Sequence, residues 1–159
     1  MGHVEGSPYF WGDLCQERIT YARNLTFREI NTLKQDPMMP YHDPRRPYIP
    51  YWFSCSDGAQ IYRYCQLINE RNQDRLAEEG GACIVYTHFA NGFCESGRPH
   101  SEFLRLMQRL ANLPGWFVPA STVLDHIRTQ PHWKEEVDER LLRRIQWRWL
   151  IPKLRYGCA

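Results

Sequence analysis

Phe103, Leu106, Met107 and Leu110 recur at the i, i+3, i+4, i+7 spacing that lines one face of a helix. Pro99 is placed to open that helix and Pro114-Gly115 to stop it. Ala82-Cys-Ile-Val-Tyr-Thr87 shows the other kind of pattern, a continuous apolar and β-branched run of strand length. Such a run predicts a strand buried on both faces of a parallel sheet. Before it, Tyr51-Trp-Phe-Ser reads as a short strand. Asp57 with Gly58 supplies an N-cap for a helix over 59–79, broken near Asn72 and ended by Gly80-Gly81. After the helix opened by Pro99, Trp116-Phe-Val-Pro119 reads as another short strand, and Ser121 or Thr122 caps a helix through Ile127. A last helix is expected from His132 to Leu150, with Trp133, Val137, Leu141, Ile145 and Trp149 every four residues on its docked side. Short parallel strands alternating with helices define an α/β protein.

The first third lacks such a pattern. Pro37, Pro40, Pro44, Pro47 and Pro50 follow one another every three or four residues, which forbids a helix and any central strand. Residues 1–50 therefore read as an irregular, proline-rich arm on an α/β part spanning 51–159, the whole forming a single domain. The methionines and aromatics of the arm predict that it lies against something, because a free linker is polar.

Composition limits the function classes. Twenty Lys and Arg against eighteen Asp and Glu leave a formal charge of +2, too small for the whole surface to attract nucleic acid. No run approaches the roughly 20 apolar residues of a membrane span, and the charged first twenty residues do not read as a signal peptide. The six cysteines contain no Cys-x-x-Cys and the six histidines no His-x-x-x-His, so no self-contained zinc site is expected. The thiols are expected to be reduced and mostly buried, Cys83 above all, in a cytoplasmic protein.

His88 follows the most strand-like run, and α/β proteins build their sites beyond the carboxyl ends of their strands. An imidazole there can act as general acid or base, or can cap the strand by bonding to backbone. Asp57 occupies the equivalent strand-to-helix turn, as a carboxylate partner or, more commonly, as a helix cap. The loop carrying Asn91 and the Trp52 to Asp57 segment are placed to converge on His88. His42 and Arg45 in the proline loop are candidates for holding a sugar or an anion, against the plainer reading of solvated loop residues. Arg140, Arg143, Arg144, Arg148, Lys153 and Arg155, interleaved with Trp147 and Trp149, could touch RNA, but the four-residue stripe favours a docked helix with a basic wet side.

Residues 80–93 (Gly-Gly-Ala-Cys-Ile-Val-Tyr-Thr-His-Phe-Ala-Asn-Gly-Phe), with Gly115-Trp-Phe-Val-Pro-Ala-Ser-Thr-Val-Leu-Asp125 and Arg143-Arg-Ile-Gln-Trp-Arg-Trp-Leu150, resemble the carboxyl-terminal half of polysaccharide deacetylases, the carbohydrate esterases with a NodB-homology domain. The resemblance covers roughly 51–159 and implies part of a (β/α) barrel of deacetylase type. It also implies hydrolysis of acetyl groups on sugars, with His88 as the late-strand acid. Complete members hold a divalent metal such as zinc with an aspartate and two histidines, and use a second aspartate as base. Those motifs, Asp-Asp and a His-x-x-x-His type spacing, are absent from this sequence, so no metal ligand is assigned. The implied partners are a polysaccharide or acetylated sugar, and either a missing amino-terminal half or a second copy of the chain. Other readings of the same residues are a non-enzymatic carbohydrate-binding or scaffolding remnant, and an RNA-binding protein using the basic terminal helix.

Overall fold

Three parallel strands, β1 (Tyr21–Phe27), β2 (Tyr51–Asp57) and β3 (Val85–Tyr86), form the central sheet in the order β1-β2-β3. The computed structural model describes residue 2 and residues 4–156. β2 is the middle strand, and its last four residues, Ser54, Cys55, Ser56 and Asp57, are all buried. Hydroxyls can sit there because each is bonded. Ser56 Oγ lies 2.7 Å from Thr32 Oγ1 on the short helix α2 (Thr32–Gln35) and 2.7 Å from the carbonyl of Glu29. Ser54 Oγ donates to Asp36 at 2.5 Å, and burial raises the Asp36 carboxyl above its ordinary range. Small side chains on β2 let α2 pack directly against the sheet.

The sheet is an open one, and its first strand corrects the reading of residues 1–50 as an irregular arm. β1 pairs with β2 along its length, but the register shifts between Arg23 and Thr26. That bulge interrupts the period-two alternation by which a half-buried strand is recognised, and Leu25 and Phe27 alone are fully buried in it. The proline segment is folded down as well. Met39 and Tyr41 are completely covered. Tyr41 exchanges backbone hydrogen bonds of 3.1 and 2.8 Å with Trp52, in an antiparallel bridge beside the half of β2 that β3 does not reach.

From β2 the chain crosses to β3 through α3 (Ile61–Leu67) and α4 (Glu70–Glu79). The break falls at Ile68 and Asn69, three residues before Asn72. Asn69 caps α4 by accepting from the Asn72 backbone at 2.9 Å, while the Asn72 amide bonds the last carbonyls of α3. Gly80 ends α4 in the left-handed conformation, φ +62°, with its N–H bonded back to Leu76 and Ala77. The run 82–87 is shorter as a strand than its composition suggests. It pairs only at Val85 and Tyr86, at the edge of the sheet, so these residues are half-buried and not covered on both faces.

Beyond β3, a small hairpin of β4 (Cys94–Glu95) and β5 (Arg98–Pro99) leads into α5 (Ser101–Ala111). Leu106 of α5 is fully buried, and Phe103, Met107 and Leu110 pack on the cluster of Ile30, Tyr64, Leu67, Ile68 and Phe93. Trp116 to Pro119 is loop and not strand, with Trp116 and Phe117 exposed, and Pro119 precedes α6 (Ala120–Arg128). The last helix, α7 (Glu139–Tyr156), begins seven residues later than expected because Asp138 caps it, accepting from the Arg140 and Leu141 backbones. It docks through Leu142 and Ile145, with Leu141 and Trp149 partly covered, against Leu25 and Phe27 of β1 and against Trp52. The remaining helix, α1 (Gly12–Arg18), precedes β1. Among the described residues no helix is long and apolar enough to cross a membrane.

The described cysteines are free and less buried than expected. Cys55 is buried, Cys15, Cys65 and Cys83 are partly covered, and Cys94 is exposed; Cys158 lies outside the described residues. Burial pushes the Cys83 thiol up to about 12 and also raises Cys55 and Cys65. In native protein Cys94 is therefore expected to react first with a thiol reagent and Cys55 and Cys83 at least tenfold more slowly, since the thiolate is the nucleophile. Mass mapping of the modified sites checks this, and early labelling of Cys83 would contradict it.

Candidate functional site

Because the three strands are parallel, their carboxyl ends lie on one side of the sheet, where α/β proteins form ligand crevices. Arg28 follows β1, Asp57 ends β2, and His88 comes two residues after β3. A cleft of about 220 Å³ opens there, lined by Arg23, Thr26, Arg28, Asp57, Arg63, Tyr86 and Lys153. A neighbouring hollow of about 180 Å³ shares Arg28, Asp57 and Arg63 and extends to Tyr62 and Gln66.

Asp57 is buried at the floor of this cleft with both oxygens engaged. Oδ1 accepts from the Ala59 backbone at 3.2 Å and Oδ2 from Arg63 Nη1 at 2.5 Å. It therefore closes the turn after β2, while the residue preceding α3 is Gln60, which makes no side-chain cap. A carboxylate tied in this way positions Arg63. His88 is tethered to the same turn, its backbone N–H donating to Ala59 at 3.2 Å. Its exposed ring stands edge-on to Tyr86, centroids 4.7 Å apart, with Nε2 in contact with the Tyr86 hydroxyl. The face of the Tyr86 ring carries a cation, the Arg23 guanidinium carbon lying 3.6 Å from the ring centroid. Asn91 reaches the site through its backbone, donating to the His88 carbonyl at 2.9 Å and accepting from Ile61 at 3.1 Å, so the 88–91 turn is clipped to the start of α3.

The other candidate sugar contacts lie elsewhere. Trp52 is five residues before Asp57, about 16 Å along an extended strand, and is buried in the core under the Arg46 guanidinium, 3.8 Å from its ring centroid. His42 is held by backbone, Nδ1 lying 3.0 Å from the Pro50 carbonyl and its N–H bonding Glu135 at 2.7 Å. Arg45 grips Asp43 through Nε and Nη2 at 2.9 and 3.1 Å, and Arg46 Nε joins at 3.0 Å. Asp43 is buried in this clasp and His42 is partly covered, so the solvated-loop reading is corrected for them, while the Arg45 side chain, 57% exposed, stays at the surface; His42, Arg45 and Trp52 all lie at the opposite end of the sheet from His88.

Sequence reasoning missed Arg23, Arg28, Arg63 and Tyr86, and singled out Lys153 only as part of the basic terminal helix. Tyr86 carried a signal, lying two residues before His88 on the same face, whereas Arg23 carried none because β1 is not legible in the sequence. The convergence of Arg63 and Lys153 depends on how α3 and α7 dock and has no local signature. Among the described residues no three His, Cys, Asp or Glu side chains converge to hold a metal ion. Two larger hollows, about 600 and 540 Å³, meet at Gly80-Gly81-Ala82, Trp116 and Val123 and contain none of the sequence-predicted site residues. The fold and cleft thus define a mixed α/β protein with a three-stranded parallel sheet and a cationic crevice at its carboxyl edge. No protein-family model matches this chain, and neither does any curated protein or solved structure.

Proposed function

We propose that the chain is the sugar-facing, proton-supplying part of a deacetylase-like carbohydrate esterase. The observation that carries this reading is the position of His88. It lies at the carboxyl end of a parallel strand, on a turn clipped to Asp57's loop, with its Nε2 against the Tyr86 hydroxyl. In that role the imidazole donates its proton to the amine nitrogen of an N-acetyl sugar as the amine leaves, and Tyr86 orients the ring. The resemblance of residues 80–93, 115–125 and 143–150 to the distal half of such enzymes supports the same role.

The divalent metal of complete homologues does not fit the described residues. Asp57 is committed to Arg63, and no second and third ligand lie beside it. The chain's own contribution is limited to binding and proton supply, and a complete enzyme draws its metal from another segment or a second copy. The outer side of β3, unpaired among the described residues, offers an edge where such a partner could continue the sheet.

Titration of the isotopically labelled chain with an N-acetylglucosamine oligomer tests the reading. The largest resonance shifts are expected at His88, Tyr86 and Asn91. His88→Ala should weaken binding about fivefold, the worth of roughly one hydrogen bond, and leave the melting temperature unchanged because the ring lies outside the core. Shifts centred on Trp52 and Arg45 would move the sugar site to the other end of the sheet and end the assignment of His88.

A further inference from the structure

We propose that the cleft at the carboxyl end of the sheet is a subsite for an oxyanion, a sulfate or phosphate group. Cationic side chains reach it from separate elements: Arg23 from β1, Arg28 from the turn that follows, Arg63 from α3 and Lys153 from α7. Among the described residues Asp57 is the one acid lining either hollow, and it is committed to Arg63 at 2.5 Å. Among the described residues neither Arg23 nor Lys153 has a carboxylate within ion-pair distance. Positive charge is therefore in excess even without counting Arg28.

Like charges gathered on a concave wall repel one another, and the low-dielectric wall strengthens the field they project. A counter-anion in the cleft turns that repulsion into attraction. The geometry is also preorganised for one. Arg23 is held over Tyr86, 3.6 Å from the ring centroid, and its side chain also hydrogen-bonds the Cys55 thiol, which together fix the guanidinium on the cleft wall. A guanidinium edge matches two oxygens of a sulfate or phosphate. Lys153 lies over Trp149, 4.7 Å from its ring centroid, which fixes the ammonium at the end of α7. Arg63 is fixed by Asp57 in turn.

The oxyanion site stands on its own, and the identity of the larger ligand rests on the deacetylase reading of His88. If the chain binds sugars at His88, an oxyanion one strand away belongs to the same ligand and the substrate class is an acidic glycan. Such a cleft also disfavours cationic amino sugars.

The full chain, at low ionic strength, is titrated with sodium sulfate, sodium phosphate, N-acetylglucosamine and N-acetylglucosamine 6-sulfate, with binding followed by calorimetry and residue-resolved NMR. Sulfate or phosphate is expected to saturate, with shifts centred on Arg23 and Tyr86. The Arg23→Gln/Lys153→Gln double variant is expected to bind at least tenfold more weakly, and added chloride should weaken binding in the native chain. Tighter binding of the 6-sulfate than of inorganic sulfate marks a sugar-borne oxyanion, and equal binding marks the free ion. Should the double variant melt early, Lys153→Gln alone, near the end of α7, is measured for a loss of at least threefold. Unchanged affinity in these variants, no saturable binding, or shifts centred on Arg143 and Arg144 overturns the proposal. Sulfate binding without an effect of N-acetylglucosamine at His88 keeps the oxyanion site and removes the deacetylase reading, and the reverse result removes only the oxyanion site.

Discussion

Asp43→Ala is expected to destabilise the protein by about 3 kcal/mol, because it strips a buried carboxylate from two guanidinium groups that remain in place. For a chain of this length that lowers the melting temperature by roughly 6 to 12 °C. Asp43 accepts four bonds, from Arg45 Nε, Nη2 and backbone N–H and from Arg46 Nε, all between 2.9 and 3.1 Å. Arg46 is also stacked on Trp52 and bonded to Asn24 of β1, whose amide donates to the Tyr41 hydroxyl at 2.7 Å. The proline segment is thereby fastened to the first two strands. Losing the carboxylate leaves the half-buried Arg46 against an aromatic core, whereas Arg45→Ala should cost under about 1 kcal/mol, since its side chain is 57% exposed.

The pH dependence has a definite sign. Burial works to raise the Asp43 carboxyl, but the Arg45 hydrogen bonds and the Arg46 charge outweigh it and hold the group below its ordinary value of 3.8. A depressed folded-state value stabilises the protein fully above the unfolded value, and the contribution is lost as pH falls through the folded one. The gap between native protein and Asp43→Asn should therefore be constant near neutrality and close below pH 3.8. Urea melts across that range check it. A cost below about 1 kcal/mol for Asp43→Ala at pH 7, the ceiling of an exposed ion pair, would show that the proline segment is a dispensable arm after all.

The same clasp explains what was legible in the chain and what was not. Helix α5 was readable from Phe103, Leu106, Met107 and Leu110 because its period and its buried face coincide. The end of α4 was readable because Gly80 takes a conformation that favours glycine. β1 was not, because the bulge between Arg23 and Thr26 breaks its alternation. The length of β3 was overestimated because apolar runs report burial and not pairing, and the Ala82 carbonyl is taken by Thr32 and Leu33 of α2 in place of a strand neighbour. Turns beyond strand ends pointed to Asp57, His88 and Asn91 as neighbours, since parallel strands present them on one side. Nothing local in Tyr41-His-Asp-Pro-Arg-Arg46 distinguishes a buried ionic clasp from a sugar contact, because both use the same donors. The cationic wall is a tertiary product of β1, α3 and α7.

The Leu142→Ala and Ile145→Ala variants should each lose about 2 to 5 kcal/mol, the range for large-to-small changes at sites that cannot collapse. These two side chains are 2% and 1% exposed and join α7 to two separate clusters, Leu142 to Tyr41, Ile49 and Trp52 and Ile145 to Leu25 and Phe27. Truncation at either point leaves a cavity under the helix, because the partners belong to the sheet and the clasped proline segment and are not free to move in. Arg143 and Arg144 sit between them on the exposed side. Arg143→Ala and Arg144→Ala should stay within about 0.5 kcal/mol, as surface changes do. The contrast separates two views of the basic tail. A docked helix gives large losses at the two apolar positions, small ones at the arginines, and no RNA affinity that depends on Arg143 and Arg144. An RNA-binding helix gives an affinity that falls when those arginines are removed, with a salt slope reduced by about one for each phosphate that is no longer neutralised. Because α7 also carries Lys153 to the cleft, undocking it should abolish oxyanion binding together with stability, while Lys153→Gln weakens the first alone.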